Sequence, residues 1–259
     1  MKMLVFKMKI IDESEDSYLI QISRNNQSTE IMFTPETKDL KYCSQNEVTE
    51  LLRDHEQQLR KVLHTKRPDS YYIGFELTFS FRYDKDVIGF NNKNKLVVLD
   101  KRNSETKSYV KDNYESTIPK IYTDGSFLEK FDKGAYAVII KTADDSYDYY
   151  TQQVDVRNSG LIELLAAMKG VELLDNKDRV RIVTDSQYVR KGLTEWIVNW
   201  KLNNWRTVNG DKVKNIEYWK EFDQLTAGKY IEFAWVEAHS DHFENELCDL
   251  MAKETALDS

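Results

Sequence analysis

The stretch Ile121-Tyr122-Thr123-Asp124-Gly125-Ser126 decides how the second half of this chain folds. Apolar and β-branched residues lead up to an aspartate, and the glycine after it permits a turn, so the pattern indicates a buried strand that ends in an acid. A second apolar stretch, at residues 180–185, also ends in an aspartate. If the two strands are neighbours in one sheet, Asp124 and Asp185 lie on adjacent strands.

The residues on either side of these strands predict an α/β fold with a five-stranded mixed sheet and helices on both faces. Runs of β-branched, aromatic and other apolar residues mark the strands, and apolar residues at helical spacing mark the helices. The strands are predicted at residues 119–127, 133–141, 147–156, 180–185 and 230–237. The helices are predicted at residues 158–174, 186–191, 193–203, 214–227 and 242–256.

The first part of the chain, residues 1–100, is predicted to form a separate small α+β domain. Its helix, about 44–65, opens with the capping-box pattern Ser44-Gln45-Asn46-Glu47. The polar residues 101–117 are interpreted as a linker, and residues 118–259 as the last domain. Residues 1–100 carry no recognisable catalytic pattern, so we expect them to bind substrate or a protein partner, or to mediate self-association. The strands of this domain are predicted at 4–11, 17–23, 29–33 and 71–81, and residues 86–90 and 95–99 are expected to continue its sheet.

Composition limits the functions that this chain can have. The formal net charge is −7, and residues from Ile118 onward carry all of it. An acidic protein is not an obvious nucleic-acid binder, although bound divalent cations reverse the sign locally. Lys7 and Lys9 interrupt the N-terminal apolar run, and no apolar run approaches the roughly 18 residues of a membrane span. Cys43 and Cys248 lack metal-type spacing, so we predict a reduced, cytoplasmic protein without a membrane segment.

Four carboxylates are predicted in apolar settings: Asp124, Glu163, Asp185 and Asp249. One such acid is more often a turn former or a solvated helix residue. Four together are costly to bury without matching cations, and clustered carboxylates raise one another's pKa until a hard cation is present. Mg²⁺ prefers oxygen ligands, and two Mg²⁺ ions about 3.5–4 Å apart suit in-line phosphoryl chemistry. The pattern therefore predicts a two-Mg²⁺ phosphodiester hydrolase, with Mn²⁺ as an alternative ion.

Several short motifs follow one another in order over the last 140 or so residues. They are Thr123-Asp124-Gly125-Ser126, Ile162-Glu163-Leu164, Thr184-Asp185-Ser186-Gln187-Tyr188-Val189-Arg190, Asn199-Trp200-Lys201, Asn204-Trp205-Arg206-Thr207, Val213-Lys214-Asn215 and the tail from His239 to Asp249. In this order and spacing, the chain from about Pro119 to Ala256 resembles the type 1 ribonuclease H family, whose members cut the RNA strand of RNA–DNA hybrids.

The resemblance implies the roles of the catalytic residues. Asp124, Glu163, Asp185 and Asp249 would hold two Mg²⁺ ions, of which one activates the attacking water and the other stabilises the leaving 3′ oxygen. The products would carry 5′-phosphate and 3′-hydroxyl ends. His239 stands where the family has a mobile histidine that aids proton transfer or product release.

The resemblance also implies a substrate surface. Residues 193–215 resemble the basic handle with which the family grips the hybrid, and Trp196 and Trp219 are interpreted as core residues beneath it. The handle contacts would be Lys201, Trp205, Arg206, Lys212 and Lys214. Contacts nearer the carboxylates would be Gly125, Ser126, Asn158, Ser159, Ser186 and Gln187.

Two alternatives stay open on the sequence. One is a nuclease of the same fold that acts on DNA or double-stranded RNA. The other is a nucleic-acid-binding protein whose nuclease fold has lost activity, although all four acids are intact. The chain also departs from the family at Ser159-Gly160-Leu161-Ile162, where an Asn-Asn-Arg type of stretch is usual.

Overall fold

The structure is a computed structural model, and it describes residues 2–14, 16–64, 72–82, 85–89, 95–102, 106–110, 117–235 and 242–258. The chain divides into two units. The first is built mainly from Lys2–Asn91, and the second mainly from Asn92–Ala143 and Asp148–Ser259. In the described part of the chain, no helix combines the length and the apolar character needed to cross a membrane.

The first unit contains an antiparallel sheet with two short helices. Its strands lie in the order β4-β3-β2-β1-β5-β6. Large side chains such as Phe6, Phe33 and Phe79 are fully buried in its core together with Leu52 and Leu59 of the helices. The elements are β1 (Lys2–Ser14), β2 (Ser17–Arg24), β3 (Gln27–Thr34), β4 (Asp39–Tyr42), α1 (Glu47–Asp54), α2 (Glu56–His64), β5 (Glu76–Arg82) and β6 (Lys85–Gly89).

The helical segment of this unit differs from its prediction in two ways. The capping residue is Asn46 rather than Ser44, because the Asn46 side chain accepts a hydrogen bond from the backbone N–H of Thr49 at 3.0 Å. The segment also contains two helices instead of one, since α1 ends at Asp54 and the next residue, His55, leaves the helical conformation.

The second unit contains a mixed sheet in the order β11-β10-β9-β12-β13-β7-β8. The five predicted strands are all present, and β7 and β8 extend the sheet beyond β13. The strands are β7 (Lys95–Asp100), β8 (Thr106–Val110), β9 (Lys120–Leu128), β10 (Lys133–Lys141), β11 (Tyr147–Val154), β12 (Arg179–Thr184) and β13 (Tyr230–Trp235). The helices are α3 (Ser159–Leu173), α4 (Gln187–Lys191), α5 (Ile197–Leu202), α6 (Ile216–Thr226) and α7 (Phe243–Leu257), and a π-helical turn (Gly192–Trp196) joins α4 to α5.

The prediction that residues 95–99 continue the N-terminal sheet is wrong. β7 pairs antiparallel with β13 of the second unit, with Leu99 opposite Ile231, and β8 then pairs with β7. Residues 106–110, which we interpreted as part of a linker, therefore form a strand. The physical reason is that β13 would otherwise leave a row of unpaired N–H and C=O groups, and β7 satisfies that edge.

Helices pack on both faces of the central strands. α3 lies against the face that carries Ile121 and Val138, where Gly170 of the helix comes close to both side chains. α7 lies on the opposite face, where the ring of its capping residue His242 is 5.6 Å from the ring of Tyr122. β9, which carries the first predicted acid, is thus fixed between two helical layers.

Candidate active site

The two predicted acid-bearing strands are neighbours. β12 runs parallel to β9, and Val183 lies opposite Tyr122, so Asp124 and Asp185 follow at matching positions beside each other. Asp124 is 7% exposed, and Asp185 lies at the end of β12 with partial exposure. The two apolar stretches that each end in an aspartate therefore bring two carboxylates together, as predicted.

Glu163 joins these aspartates because α3 approaches β9 very closely. A Cβ atom on Gly125 would lie 2.8 Å from Cγ2 of Ile162 and 2.9 Å from the backbone nitrogen of Glu163. Only a residue without a side chain fits there. Asn158 fixes the start of the helix by accepting a hydrogen bond from the backbone N–H of Leu161 at 3.0 Å. Gly125 therefore determines how near Glu163 comes to Asp124.

Carboxylate oxygens of Asp124, Glu163 and Asp185 all lie within 4.8 Å of one another. Asp124 also accepts a hydrogen bond from the backbone N–H of Gly125 at 2.7 Å. Oε2 of Glu163 is buried and has no hydrogen-bond partner among the described residues. A buried carboxylate oxygen without a donor is unfavourable in the protein alone, and an oxygen-seeking cation is the group that satisfies it.

The raised pKa values of two of these carboxylates also favour a bound cation. Burial raises the pKa of Asp124 to about 7, and the negative charges of Asp185 and Asp249 add to the effect. Burial also raises the pKa of Glu163 well above its ordinary value, followed by the charges of Asp124 and Asp185. The site therefore resists full ionisation until positive charge enters from outside the chain.

Asp249 lies beside the three-carboxylate cluster instead of within it. Its Oδ2 is 2.6 Å from Nζ of Lys253, one turn later on α7, and both side chains are partly exposed. Its charge still acts on Asp124, as the raised pKa shows. The structure thus brings three of the four predicted acids into one cluster and places the fourth at its margin. His239 lies outside the described residues.

Sequence reasoning missed Asn245. Its Nδ2 donates to Oδ2 of Asp185 at 3.4 Å, and its Oδ1 is buried without a hydrogen-bond partner in the described part of the chain. The signal was present, because Asn245 precedes Asp249 by four residues and both therefore face the same side of α7. An amide that donates to Asp185 orients that carboxylate within the cluster.

The predicted contacts near the carboxylates have different surroundings. Ser126 is buried, and Ser159 is exposed. Asn158 and Ser186 cap α3 and α4, since Ser186 Oγ accepts a hydrogen bond from the backbone N–H of Val189 at 3.3 Å. Gln187 is exposed, and its Oε1 accepts a hydrogen bond from Nη2 of Arg190 at 2.9 Å.

The handle, residues 193–215, comprises most of the π-helical turn, α5 and the loop up to α6. Trp219 of α6 is fully buried beneath it, as predicted, whereas Trp196, predicted as a core residue too, is only partly buried. The ring of Trp219 fills the space that a side chain on Gly192 would need. Tyr188 accepts hydrogen bonds from Nε1 of Trp219 at 3.0 Å and from Nδ2 of Asn215 at 3.1 Å. Four of the predicted contacts are exposed on the handle: Lys201, Arg206, Lys212 and Lys214. Trp205 is partly exposed, with Lys220 over its ring.

A family model described as RNase H matches residues 117–257, which is more than half of the chain. The chain belongs to the ribonuclease H family. Its relatives are named Ribonuclease H and Ribonuclease HI, so the chain is a ribonuclease H enzyme. The elements β1–β8 precede the matched region.

Curated relatives of this ribonuclease H match the same part of the chain. "Ribonuclease H" of Aeromonas salmonicida is 40% identical over 136 residues, which are 52% of this chain and 88% of the relative. "Ribonuclease HI" of Vibrio cholerae is 38% identical over 143 residues, or 53% of this chain and 87% of the relative. Among solved structures, LC9-RNase H1, titled a type 1 RNase H with the type 2 active-site motif, has a TM-score of 0.48 at 23% identity, covering 56% of this chain and 74% of that one.

Proposed function

We propose that this protein is an endoribonuclease that hydrolyses the RNA strand of RNA–DNA hybrids and leaves 5′-phosphate and 3′-hydroxyl ends. The observation that carries the proposal is the cluster of Asp124, Glu163 and Asp185, whose carboxylate oxygens lie within 4.8 Å of one another. The relatives' name, Ribonuclease H, supports the choice of reaction.

Asp124, Glu163 and Asp185, with Asp249 beside them, would hold two Mg²⁺ ions. Bound there, the ions would supply Lewis-acid activation of water and neutralise charge on the leaving oxygen. The residues of the chain do the positioning. Close packing at Gly125 holds Glu163 against Asp124, and Asn245 orients Asp185.

The exposed lysines and arginine of the handle would bind phosphates of the hybrid. Lys212 and Lys214 lie on the loop that leads to α6, and Arg206 is held by a hydrogen bond from its Nη1 to the carbonyl oxygen of Gly210 at 2.8 Å. Positive side chains here offset the acidic balance of the rest of the unit. Gly125, Ser126, Asn158, Ser159, Ser186 and Gln187 remain proposed contacts nearer the reacting phosphate, and His239 a proposed proton-transfer residue.

The two units define a further proposal about organisation. The role predicted for residues 1–100, binding of substrate or a partner, would belong to the first unit, built mainly from Lys2–Asn91, and the second unit, which includes residues 118–259, would be the catalytic one. Light scattering of the full chain over a range of concentrations distinguishes self-association from a monomer that uses this domain for another ligand.

Cleavage of one labelled strand tests the proposed reaction. The strand is presented as RNA–DNA, RNA–RNA, DNA–DNA and single-stranded RNA with Mg²⁺, and Asp124→Asn is the inactive control. We expect cutting of the RNA in the hybrid alone, with fragments whose 5′ ends are sensitive to phosphatase. Equal cutting of another duplex would favour a different nuclease of this fold. Absence of cutting despite calorimetrically measured Mg²⁺ binding would favour a binding protein.

A further inference from the structure

Asp223 of α6 is shared by two lysines that come from different elements. Its Oδ1 is 2.7 Å from Nζ of Lys101, and its Oδ2 is 3.1 Å from Nζ of Lys201. Lys201 belongs to α5 of the handle. Lys101 directly follows β7 and therefore lies outside residues 117–257, the region that matches the family. A residue outside the family region thus contacts the same carboxylate that holds Lys201 of the handle.

Lys101 is held rigidly. Its Nζ also donates to Oγ1 of Thr226 at 2.9 Å, and its side chain is 6% exposed. Its backbone N–H donates to the carbonyl oxygen of Lys229 at 2.9 Å, which continues the pairing of β7 with β13. The next residue, Arg102, places its guanidinium over the ring of Tyr230 at 5.0 Å. The ammonium of Lys101 is therefore a fixed positive charge beneath α6.

The three charges do not cancel. Asp223 is 15% exposed in its side chain, whereas Lys201 is 44% exposed, so the excess positive charge of the group reaches solvent at Lys201. Without Lys101, Asp223 and Lys201 would form an isolated pair with no net charge, and the carboxylate would bind Lys201 more strongly. With Lys101 present, Asp223 holds Lys201 in position and still leaves it able to attract a phosphate.

We propose that Lys101 is a positioning residue for substrate binding, which acts through Asp223 to keep the charge of Lys201 available to a phosphate of the nucleic acid. The inference rests on the proposed function for its substrate. It assigns to the strands outside the family region a direct part in how the handle binds.

The test measures hybrid cleavage by the full chain over a series of salt concentrations. Lys101→Met should raise KM about three- to tenfold with unchanged kcat, and should make the slope of log KM against log salt shallower by about 0.9, the change expected for one lost phosphate contact. Lys101→Arg should keep the wild-type slope. Lys201→Met should change KM and slope as Lys101→Met does, and the double variant should be no worse than Lys201→Met alone.

A matched control separates positioning from stability. Lys229 is a second buried lysine of this unit, 8% exposed, and its Nζ donates to the carbonyl oxygens of Asp175 and Lys177. Lys229→Met should lower the melting temperature without changing the salt slope. The proposal is overturned if Lys101→Met behaves like Lys229→Met, or if the effects of Lys101→Met and Lys201→Met on log KM simply add.

Two further outcomes keep the test decisive. Should Lys101→Met not fold, Lys201→Met still decides, because an unchanged salt slope in that exposed-site variant overturns the proposal. Hybrid binding by anisotropy in the Asp124→Asn background separates this inference from the proposed function. If the wild-type chain cuts the hybrid but Lys101→Met changes neither KM nor the salt slope, the inference alone is refuted. If the wild-type chain neither binds nor cuts the hybrid, the proposed function is refuted.

Discussion

Asp124 and Asp223 are both acids largely withdrawn from solvent in the same unit, yet their pKa values move in opposite directions. Burial and the neighbouring acids raise the pKa of Asp124 to about 7. Burial also acts to raise the pKa of Asp223, but hydrogen bonds and charge from Lys101 and Lys201 outweigh it, so that pKa lies below its ordinary value.

The difference shows how a binding site can be distinguished from a structural ion pair. Asp223 has its cations supplied by the chain, at 2.7 and 3.1 Å, and needs nothing further. The cluster around Asp124 brings three carboxylates within 4.8 Å of one another, and Glu163 keeps an oxygen without a donor among the described residues. Uncompensated buried charge is expensive, so its presence marks the place where a ligand of opposite charge completes the structure.

Glu163→Gln, in the carboxylate cluster, should have the largest effect on the rate of cleavage. The amide keeps the shape but removes a charge that a metal ion requires, so we expect hybrid cleavage to fall about a thousandfold. The measurement is kcat/KM at saturating Mg²⁺. Glu172→Gln, an exposed position on the same helix, should leave the rate unchanged. A Glu163→Gln rate within tenfold of wild type would show that this carboxylate does not serve the reaction.

Gly125→Ala should have the next largest effect. The new methyl group meets the backbone of Glu163 and the side chain of Ile162 at under 3 Å, so α3 must move away from β9. A displacement of about 1 Å can lower the rate about a hundredfold. In Gly160→Ala the methyl group lies 3.2 Å from the ring of Tyr188 instead, and we expect a tenth of that loss or less. Equal kcat values for the two variants would contradict the role given to Gly125.

The sequence was sufficient to predict the strands of the site and the three clustered acids, because each of these acids ended or interrupted a strongly apolar element. It was not sufficient for contacts between groups far apart in the chain. Lys101 bonds to Asp223 across more than a hundred residues, and nothing in the polar pattern around Lys101 identifies that partner. Pairing of β7 with β13 escaped prediction for the same reason, since an edge strand accepts any suitable neighbour.

Asp223→Asn should destabilise the fold by about 2 kcal/mol at pH 7, because it leaves Lys101 buried without its anion. The native pKa of Asp223 is lowered, so its contribution is present above the unfolded pKa and is lost as the pH falls through the native pKa. The difference in the free energy of unfolding between wild type and variant, measured with urea, should therefore become smaller below about pH 4. Asp175→Asn, an 81% exposed partner of Lys229, should change stability little.

Asp124→Asn should change the stability in the opposite direction. Because the native pKa of Asp124 is raised to about 7, its contribution to stability is present below the unfolded pKa and lost as the pH rises through the native value. In metal-free buffer at pH 8 the variant should therefore be more stable than wild type, by up to about 4 kcal/mol, and the two should converge toward pH 4.

Adding Mg²⁺ completes this last comparison. A cation that binds the folded state stabilises it by mass action, so wild type should gain stability with Mg²⁺ and Asp124→Asn should gain less. The greater stability of the variant at pH 8 should therefore become smaller or change sign. Urea unfolding at pH 8 with and without Mg²⁺ measures both quantities. Loss of stability in metal-free Asp124→Asn would mean that the acid is compensated within the chain, as Asp223 is, and that the contrast between the two sites does not hold.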